Sequence, residues 1–239
     1  MVAATFKEWN GTALVPLTIT EVGTRPELRR NLFKDPSFEL TSGGLVTSVV
    51  NRGGGKHSYD TSWSLSGAGS IKVEGNTSAD SAVYLEGNYT AFRMGLVAGK
   101  TYTASATARL TAPLTGTLST AARRITAGIR NADGTTFNYS LANSPQTPNL
   151  AGEYPLSVTF TVPLDCTGAG VSLYAGANAG LGAVWWDNFM LVEGTDTGEF
   201  FYGSTPNTVN AKYTWAGAVN NSVSIETDAR GGAMTAIIV

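Results

Sequence analysis

The chain has 239 residues, of which 14% are charged and 42% apolar, with 18 acidic and 16 basic residues and a formal net charge of −2. This composition argues against a disordered chain, a coiled coil and a protein that binds nucleic acid through positive charge alone. A single cysteine and a single histidine exclude an internal disulfide framework and a multi-histidine metal centre.

The small residues indicate how the chain folds. The 28 glycines, together with abundant Ser, Thr and Asn, suit many short strands joined by tight turns. No segment reaches the roughly 20 consecutive apolar residues of a membrane-spanning helix. The first residues, MVAATFKE, lack a basic region followed by an apolar one, so we expect no signal peptide and synthesis in the cytoplasm.

Residues 1–30 are predicted to form an N-terminal arm. The turn signal WNGT at residues 9–12 lies between apolar positions and is followed by LVPLTIT at 14–20, which indicates a hairpin or an extended segment. The arm is too short to bury a core of its own. Residues 25–30, RPELRR, are interpreted as a linker.

Residues 31–193 are predicted to form the main domain. Within Thr101–Leu110 every second residue from 102 to 108 is apolar, as in a strand with one buried face. Short strands at this spacing, without helical crossovers, predict an all-β jelly-roll β-sandwich with a short N-terminal arm and a small β-rich C-terminal extension. The predicted strands are Ser70–Glu74, 82–84, Thr101–Leu110, 126–130, 156–162, 171–175 and 184–192.

Residues 194–239 are predicted to form the C-terminal extension. The segments FFYGSTP at 200–206, YTWAG at 213–217 and SVSIE at 222–226 predict two or three further strands around glycine turns. The last residues, 233–239, are an apolar tail. We therefore expect this region to contact another chain, either a second copy or a different protein.

Four phrases in the main domain resemble the carbohydrate-binding modules of the family 4/9/22 type. They are NLFKDPSFE at 31–39, GSIKV at 69–73, LVAGKTYTAS at 96–105 and WDNFML at 186–191, in the order that those modules have. The resemblance implies a jelly roll without catalytic activity. Because the phrases consist mostly of core and turn residues, they indicate the fold more strongly than the function.

The flanks resemble another group, the minor tail proteins of phages that infect actinobacteria. The resemblance is carried by WNGTA at 9–13 and by FYGSTP at 201–206 followed by YTWAG at 213–217. Tyr202 stands where that pattern has Asp, so this chain departs from the pattern there and lacks the acidic side chain. The resemblance implies a virion protein, which agrees with the expected absence of a signal peptide.

Aromatic residues are the first candidates for a binding role, because Trp and Tyr rings stack on the apolar faces of sugars. The candidates are Trp63, Tyr84, Tyr89 and Trp185, and each has plain core or interface packing as its alternative. Trp63 lies in a polar loop and is the expected exposed platform. Strict alternation along 184–192 places Trp185, residue 187, residue 189 and residue 191 on one face and Trp186 on the other, so one of the two tryptophans is expected in the core.

Glu39 and Asp187 are the candidate metal ligands. The resemblance implies that a carboxylate at each position helps to hold a structural calcium between the first and last strands, and calcium would need further oxygens from the backbone. The alternatives are two turn-capping carboxylates without metal, or the carboxylate pair of a glycosidase, which a non-catalytic module does not need. His57 is interpreted as a surface residue and Cys166 as a small buried apolar residue, so no nucleophile is assigned.

The leading hypothesis is a non-enzymatic phage virion protein, a minor tail or tail-tip component whose jelly roll contacts host cell-wall glycans. Its expected partners are other virion proteins and further copies of itself, a homotrimer by analogy with tail fibres, with no nucleic acid and no membrane. The alternatives are a capsid decoration or head-fibre protein that binds no sugar, and a module of a secreted glycosidase. A sheet face with two or more exposed aromatic rings favours sugar binding, whereas a face of Ser, Thr and Ala favours decoration.

Overall fold

A computed structural model of the chain describes residues 7–9, 14–16, 27–76, 80–114, 123–177 and 182–229. Over these residues the chain forms strands and short turns, and no helix is present that is long and apolar enough to cross a membrane. In chain order the strands are β1 Lys7–Trp9, β2 Leu14–Pro16, β3 Glu27–Asn31, β4 Thr41–Ser42, β5 Leu45–Val46, β6 Val49–Gly53, β7 Lys56–Asp60, β8 Ser70–Glu74, β9 Asp80–Leu85, β10 Thr101–Leu110, β11 Ile125–Arg130, β12 Phe137–Asn143, β13 Gly152–Thr161, β14 Gly168–Ala177, β15 Ala183–Glu193, β16 Ala211–Trp215 and β17 Ser224–Asp228.

Two five-stranded antiparallel sheets pack face to face as a sandwich. Sheet I has the order β13-β10-β15-β8-β7 and sheet II the order β12-β11-β14-β9-β6. Neighbouring strands are often distant in the chain, so the connections cross from one sheet to the other as in a jelly roll. The all-β jelly-roll fold expected from the sequence is thus confirmed.

The core lies between the two sheets and follows the alternation of the strands. On β10 the side chains at 102, 104, 106 and 108 point inward, as predicted, and belong to the same cluster as Val83, Leu85, Val171 and Leu173 of sheet II. At one end the rings of Phe33, Phe38 and Phe189 meet at centroid distances of 5.1 and 5.7 Å. Apolar burial of this extent is the main stabilising contribution to such a fold.

A β-bulge in β15 changes which residues face the core. Ser105 pairs with Met190, but Thr107 pairs with Asp187, so β15 carries one extra residue between these pairs. Asn188 has a φ of 55° at this point, a conformation that asparagine tolerates. Trp186 and Phe189 therefore both face the core, and the strict alternation predicted for this strand is wrong after residue 187.

The phrase at 31–39 holds the bulged strand in place. The side-chain amide of Asn31 donates to the carbonyl of Phe189 at 3.0 Å, and its oxygen accepts from the backbone N–H of Leu191 at 3.0 Å. These two bonds satisfy backbone groups on the other edge of β15, where its pairing with β8 has ended at Trp186. The resemblance at this phrase thus corresponds to a structural role.

A third sheet, with the order β16-β17-β3, joins the C-terminal extension to residues just before the sandwich. Arg29 of β3 donates to the Glu226 carboxylate and to the carbonyls of Thr197 and Glu199, and its guanidinium lies 4.9 Å from the Phe201 ring centroid. Residues 27–30, interpreted from the sequence as part of a linker, are therefore a strand. The predicted N-terminal hairpin is present as the β1–β2 pair, and the apolar tail at 233–239 lies outside the described residues.

Candidate functional site

The outer face of sheet II carries a cluster of tyrosine and arginine side chains. Arg52 lies on β6, at one edge of the sheet, and Tyr139 lies on β12, at the other edge. In a flat sheet four strand spacings of about 4.8 Å would separate these two strands by about 19 Å. Yet the Arg52 guanidinium carbon is 4.4 Å from the centroid of the Tyr139 ring. The face is therefore concave, and side chains from its two edges meet over its centre.

Arg52 occupies the middle of this concave face. Its guanidinium also lies 4.6 Å from the Tyr174 ring and 5.6 Å from the Tyr84 ring, so three rings surround the cation. One guanidinium nitrogen is 3.6 Å from a carboxylate oxygen of Asp80. The Arg52 side chain is 10% exposed, and its other terminal nitrogen, Nη1, is buried without a hydrogen-bond partner among the described residues.

Tyr89 forms the floor of the face. Its ring is fully buried and lies on the backbone of Gly128 and Gly170, where a Cβ atom would approach ring carbons to 2.7 and 2.9 Å. These two positions require glycine because the ring contacts the backbone directly. The Tyr89 hydroxyl shares a hydrogen bond with Ser172, and burial raises the pKa of this phenol.

Three aromatic rings remain accessible around this floor. Tyr139 is 40% exposed, Phe137 and Tyr84 are half-buried, and the rings of Phe137 and Tyr139 are stacked with centroids 5.4 Å apart. The Tyr84 ring meets the Tyr89 ring edge to face at 5.0 Å. The result is a surface of aromatic rings surrounded by hydroxyl and guanidinium groups. Such a surface suits flat ligands that have both apolar faces and polar groups.

Sequence reasoning found part of this face. It named Tyr84 and Tyr89, which the structure brings together, but it missed Arg52, Phe137 and Tyr139. A signal for β12 was present, since apolar residues recur with a period of two at 137, 139 and 141. The strand was overlooked because it is an edge strand in which four of seven residues are exposed.

Trp63 lies elsewhere, and the expectation that it is an exposed platform is wrong. Its side chain packs against the outer face of sheet I and is only 9% exposed. The indole N–H donates to a Glu153 carboxylate oxygen at 2.9 Å, and the Arg109 guanidinium lies 5.6 Å from the ring. These contacts account for the conformation of Trp63 without a ligand.

Trp185 and Trp186 divide as predicted, one in the core and one outside. Trp186 is fully buried, whereas Trp185 is half-buried on the outer face of sheet I. Trp185 pairs with Arg109 on one side and Lys72 on the other, and the Lys72 ammonium lies 5.6 Å from its ring centroid. Trp63 and Trp185 thus flank Arg109 on sheet I, on the side of the sandwich opposite to Tyr84 and Tyr89.

On the same outer face of sheet I, the β10–β13 pair carries small hydroxyl side chains, beside Met190 and Val192, which Phe201 covers. Thr101 pairs with Thr161 and Thr103 with Thr159, and the hydroxyl oxygens of these pairs are 2.8 and 2.9 Å apart. The hydroxyl groups satisfy one another across the strands, and the rings of Trp63 and Trp185 lie at the other end of these strands. The two faces of the sandwich therefore differ in chemistry.

Glu39 and Asp187 accept hydrogen bonds from the backbone of the same loop, residues 61–69. One oxygen of Glu39 accepts from the N–H groups of Ala68 and Gly69 at 2.7 and 3.1 Å. One oxygen of Asp187 accepts from the N–H groups of residues 65 and 66 at 2.6 and 3.0 Å. The two carboxylates therefore fix the loop that covers this end of the sandwich.

A third carboxylate, Asp35, belongs to the same region. It accepts from the backbone N–H of Glu39 at 2.7 Å and from the hydroxyl of Ser48 at 2.7 Å. Burial raises the pKa of Asp35 to about 6 and that of Asp187 to about 7, and the neighbouring charge of Glu39 adds to both shifts. The amide donors oppose these shifts but do not cancel them.

These carboxylates do not fit a calcium ion shared by Glu39 and Asp187. Calcium requires six to eight oxygen ligands, whereas the groups around these two carboxylates are N–H and O–H donors, including the Tyr59 hydroxyl at 3.0 Å from Glu39. Within the described ranges no group of three or more His, Cys, Asp or Glu side chains is placed to hold a metal ion. The observed geometry is that of loop-capping carboxylates.

Cys166 and His57, to which the sequence analysis assigned no catalytic role, make ordinary structural contacts. Cys166 is buried, its thiol donates to the carbonyl of Pro163 at 3.2 Å, and burial raises the pKa of the thiol. His57 lies on β7, half-buried, with its ring nitrogens 2.7 Å from the Asn51 side-chain oxygen and 3.0 Å from the Val46 carbonyl. Neither residue contacts the concave face of sheet II.

Comparison with known proteins reveals similarity in structure but not in sequence. No family model matches the chain, and no curated protein matches it. Among solved structures, the C-terminal family 22 carbohydrate-binding module of Clostridium thermocellum Xyn10B is similar over 72% of this chain and 96% of its own, with a TM-score of 0.51 and 17% identity. The xylan-binding domain of Paenibacillus barcinonensis Xyn10C covers 73% of this chain and 100% of its own, with a TM-score of 0.49 and 17% identity.

The likeness is one of fold. The neighbours are carbohydrate-binding modules, a class without catalytic activity of its own, and some occur in chains that also carry a glycosidase module. At this level of identity the comparison supports the jelly roll expected from the phrases at 31–39, 69–73, 96–105 and 186–191. What this chain binds has to be argued from its own residues.

Proposed function

We propose that the protein is a non-catalytic module that binds glycans on the concave face of sheet II. The observation that carries this proposal is the group of accessible rings at Tyr84, Phe137 and Tyr139 beside the Arg52 guanidinium. Sugar rings present C–H faces that stack on aromatic rings and hydroxyl groups that accept from guanidinium N–H groups. The fold similarity to carbohydrate-binding modules agrees with this proposal.

The site is expected to bind weakly to a single sugar chain. The face is an open surface, so a ligand there loses only part of its hydration, and much of the aromatic area is already used for packing, as for Tyr89. Several copies held on one particle or one polymer would raise the overall avidity through effective concentration. This agrees with a role in attachment to a polymeric surface.

Mutation of the accessible ring tests the proposal. We expect Tyr139→Ala to reduce binding of the purified full-length chain to insoluble cell-wall polysaccharide by about tenfold, since it removes one stacking surface. Tyr202→Ala is the matched control, because it deletes the same side chain from the C-terminal region, where the ring packs beside Phe200 and Trp215. Unchanged affinity for Tyr139→Ala, with retained folding by circular dichroism, would refute binding at this face.

A more specific proposal is that the module belongs to a phage virion, as a minor tail or tail-tip component that contacts host cell-wall glycans. It rests on the sequence phrases at 9–13, 201–206 and 213–217. The virion partners and the homotrimer belong to the same proposal. Light scattering on the purified chain tests the trimer, for which we expect three times the mass of one chain, and immunogold labelling of purified particles tests the location.

The hydroxyl-lined face of sheet I favours a second candidate, a decoration protein that docks without sugar. This face carries the two threonine pairs at 101/161 and 103/159 and one serine pair at 105/157. Under this alternative the protein would bind particles but not cell walls, and Tyr139→Ala would change nothing. Labelling of the capsid rather than the tail would support it.

A further inference from the structure

Three arginines present their guanidinium groups on the concave face of sheet II. Arg52 projects from β6 into the ring of tyrosines. Arg124 stands directly before β11, opposite Tyr174 in the register of β11 and β14, and therefore shares the face with that ring. Arg130, at the other end of β11, pairs with Phe137 and lies 5.9 Å from its ring centroid.

All three arginines have a buried nitrogen without a hydrogen-bond partner among the described residues. These atoms are Nη1 of Arg52, Nε of Arg124 and Nε of Arg130. A buried cationic N–H that has lost water and found no acceptor destabilises the folded protein. These nitrogens are out of reach of a ligand, but each of the three side chains is only partly buried, and its accessible part offers charge to a bound acceptor, above all to a negatively charged one.

Negative charge on this face does not balance the arginines. The Asp80 carboxylate approaches Arg52 at 3.6 Å. Within the described part of the chain, neither Arg124 nor Arg130 forms an ion pair. The face is therefore cationic although the whole chain has a net charge of −2, so its positive potential is local.

We propose that the ligand of this face is an anionic polysaccharide, whose sugars carry carboxylate or phosphate groups. The inference rests on the proposed function and names the class of glycan. A guanidinium group matches the two oxygens of a carboxylate or phosphate with two parallel N–H donors, while the neighbouring rings stack on the sugar. The aromatic–arginine pairs Arg52–Tyr139 and Arg130–Phe137 provide both contacts.

The spacing of the arginines indicates a polymer rather than a single sugar. Arg124 and Arg130 are six residues apart along an extended strand, which corresponds to about 20 Å. Arg124 and Arg130 thus place one guanidinium group near each end of β11, and the Tyr89 ring lies between the two residues, over Gly128. A chain that runs along β11 would contact both cations, whereas a monosaccharide would contact one.

The test compares polymers that differ in charge. The full-length protein is titrated against polygalacturonic acid, against the same polymer with its carboxyl groups reduced, and against a poly(glycerol phosphate) teichoic acid. We expect binding to at least one anionic polymer, at least about tenfold weaker binding to the reduced polymer, and loss of affinity as salt is raised. The two anionic polymers distinguish a carboxylate ligand from a phosphate ligand.

Single arginine substitutions test which face of the sandwich binds the anionic polymer. Arg124→Gln and Arg130→Gln are each expected to weaken binding to the anionic polymer about tenfold. Arg109→Gln is the matched control, since it removes the same charge from the outer face of sheet I and is expected to leave affinity unchanged. Urea unfolding of each variant verifies that folding is retained.

The outcomes separate this inference from the proposed function. Equal binding to the charged and reduced polymers, or loss of affinity in Arg109→Gln as large as in Arg124→Gln, overturns the anionic ligand and leaves glycan binding in place. Absence of binding to every polymer and to cell walls overturns both. Preference for an anionic polymer that is lost in Arg124→Gln and Arg130→Gln supports both.

Discussion

The contact between Tyr89 and Gly128 gives the sharpest prediction about the concave face. A Cβ atom at residue 128 would come within 2.7 Å of Cζ of the Tyr89 ring, and the ring is fully buried. The backbone of Gly128 does not have the positive φ that would itself disfavour alanine. Any destabilisation caused by Gly128→Ala should therefore come from collision with this one side chain.

The magnitude follows from packing. We expect Gly128→Ala to reduce the free energy of unfolding by about 1–3 kcal/mol, the usual effect of overpacking. Tyr89→Ala should cost about 3–5 kcal/mol, because it removes a buried aromatic ring. In the Tyr89→Ala background, Gly128→Ala should cost nothing, or should stabilise by a few tenths of a kcal/mol through lower entropy of the unfolded chain.

The assay is a double-mutant cycle by urea denaturation, monitored by circular dichroism, on the full-length chain. The expected coupling between Gly128 and Tyr89 is about 1–3 kcal/mol, well above the roughly 0.5 kcal/mol within which independent sites add. If Gly128→Ala destabilises both backgrounds equally, the ring does not lie on this glycine. The description of Tyr89 as the floor of the face would then be wrong.

Three further predictions concern the opposite end and the other face of the sandwich. Between about pH 4 and 7 the folded state binds more protons than the unfolded state at Asp35 and Asp187, whose pKa values burial raises to about 6 and about 7, so the free energy of unfolding should fall as pH rises through this window. Burial lowers the pKa of His57, so this residue opposes the fall in stability only below about pH 6.5. Asp187→Asn should flatten the dependence of the free energy of unfolding on pH, measured by urea unfolding. Higher stability at pH 8 than at pH 5 would contradict the reasoning. Because Glu39 and Asp187 accept from backbone N–H groups, millimolar Ca²⁺ followed by chelator should leave the thermal midpoint unchanged, and a calcium-dependent rise would instead favour the ion expected from the sequence. Trp63→Phe should cost about 1–2 kcal/mol of stability, because it removes part of a nearly buried ring together with its hydrogen bond to Glu153, yet should not alter polysaccharide binding. Weaker binding by this variant would instead indicate that Trp63 contacts the ligand.

The sequence was sufficient to predict the strands with a buried face. Ser70–Glu74 and Thr101–Leu110 were predicted with the observed ends, because alternation of apolar residues and flanking glycine turns are local signals. The same signals excluded helical crossovers and so predicted the sandwich. β12 was not predicted, although apolar residues recur with a period of two at 137, 139 and 141, because the segment lies at the edge of its sheet and is mostly exposed.

Only the tertiary structure decided which aromatic residues share a surface. Tyr84 and Tyr139 are distant in the chain and come together because the sheet is concave, so that the Arg52 side chain from one edge contacts both rings. Trp63 is covered because its indole finds an acceptor at Glu153, 90 residues away. Such contacts depend on topology and curvature, which no local pattern encodes.

The division between Trp185 and Trp186 shows where local reasoning ends. Period-two alternation correctly predicted one buried and one outward tryptophan, because neighbouring residues of a strand point to opposite sides. It failed three residues later, where the bulge at Asn188 shifts the register and turns Phe189 into the core. Beside the bulge, Asn31 at the start of the sandwich binds the backbone of residues 189 and 191 on the edge of β15 that β8 leaves unpaired, and this long-range contact forms only in the folded chain.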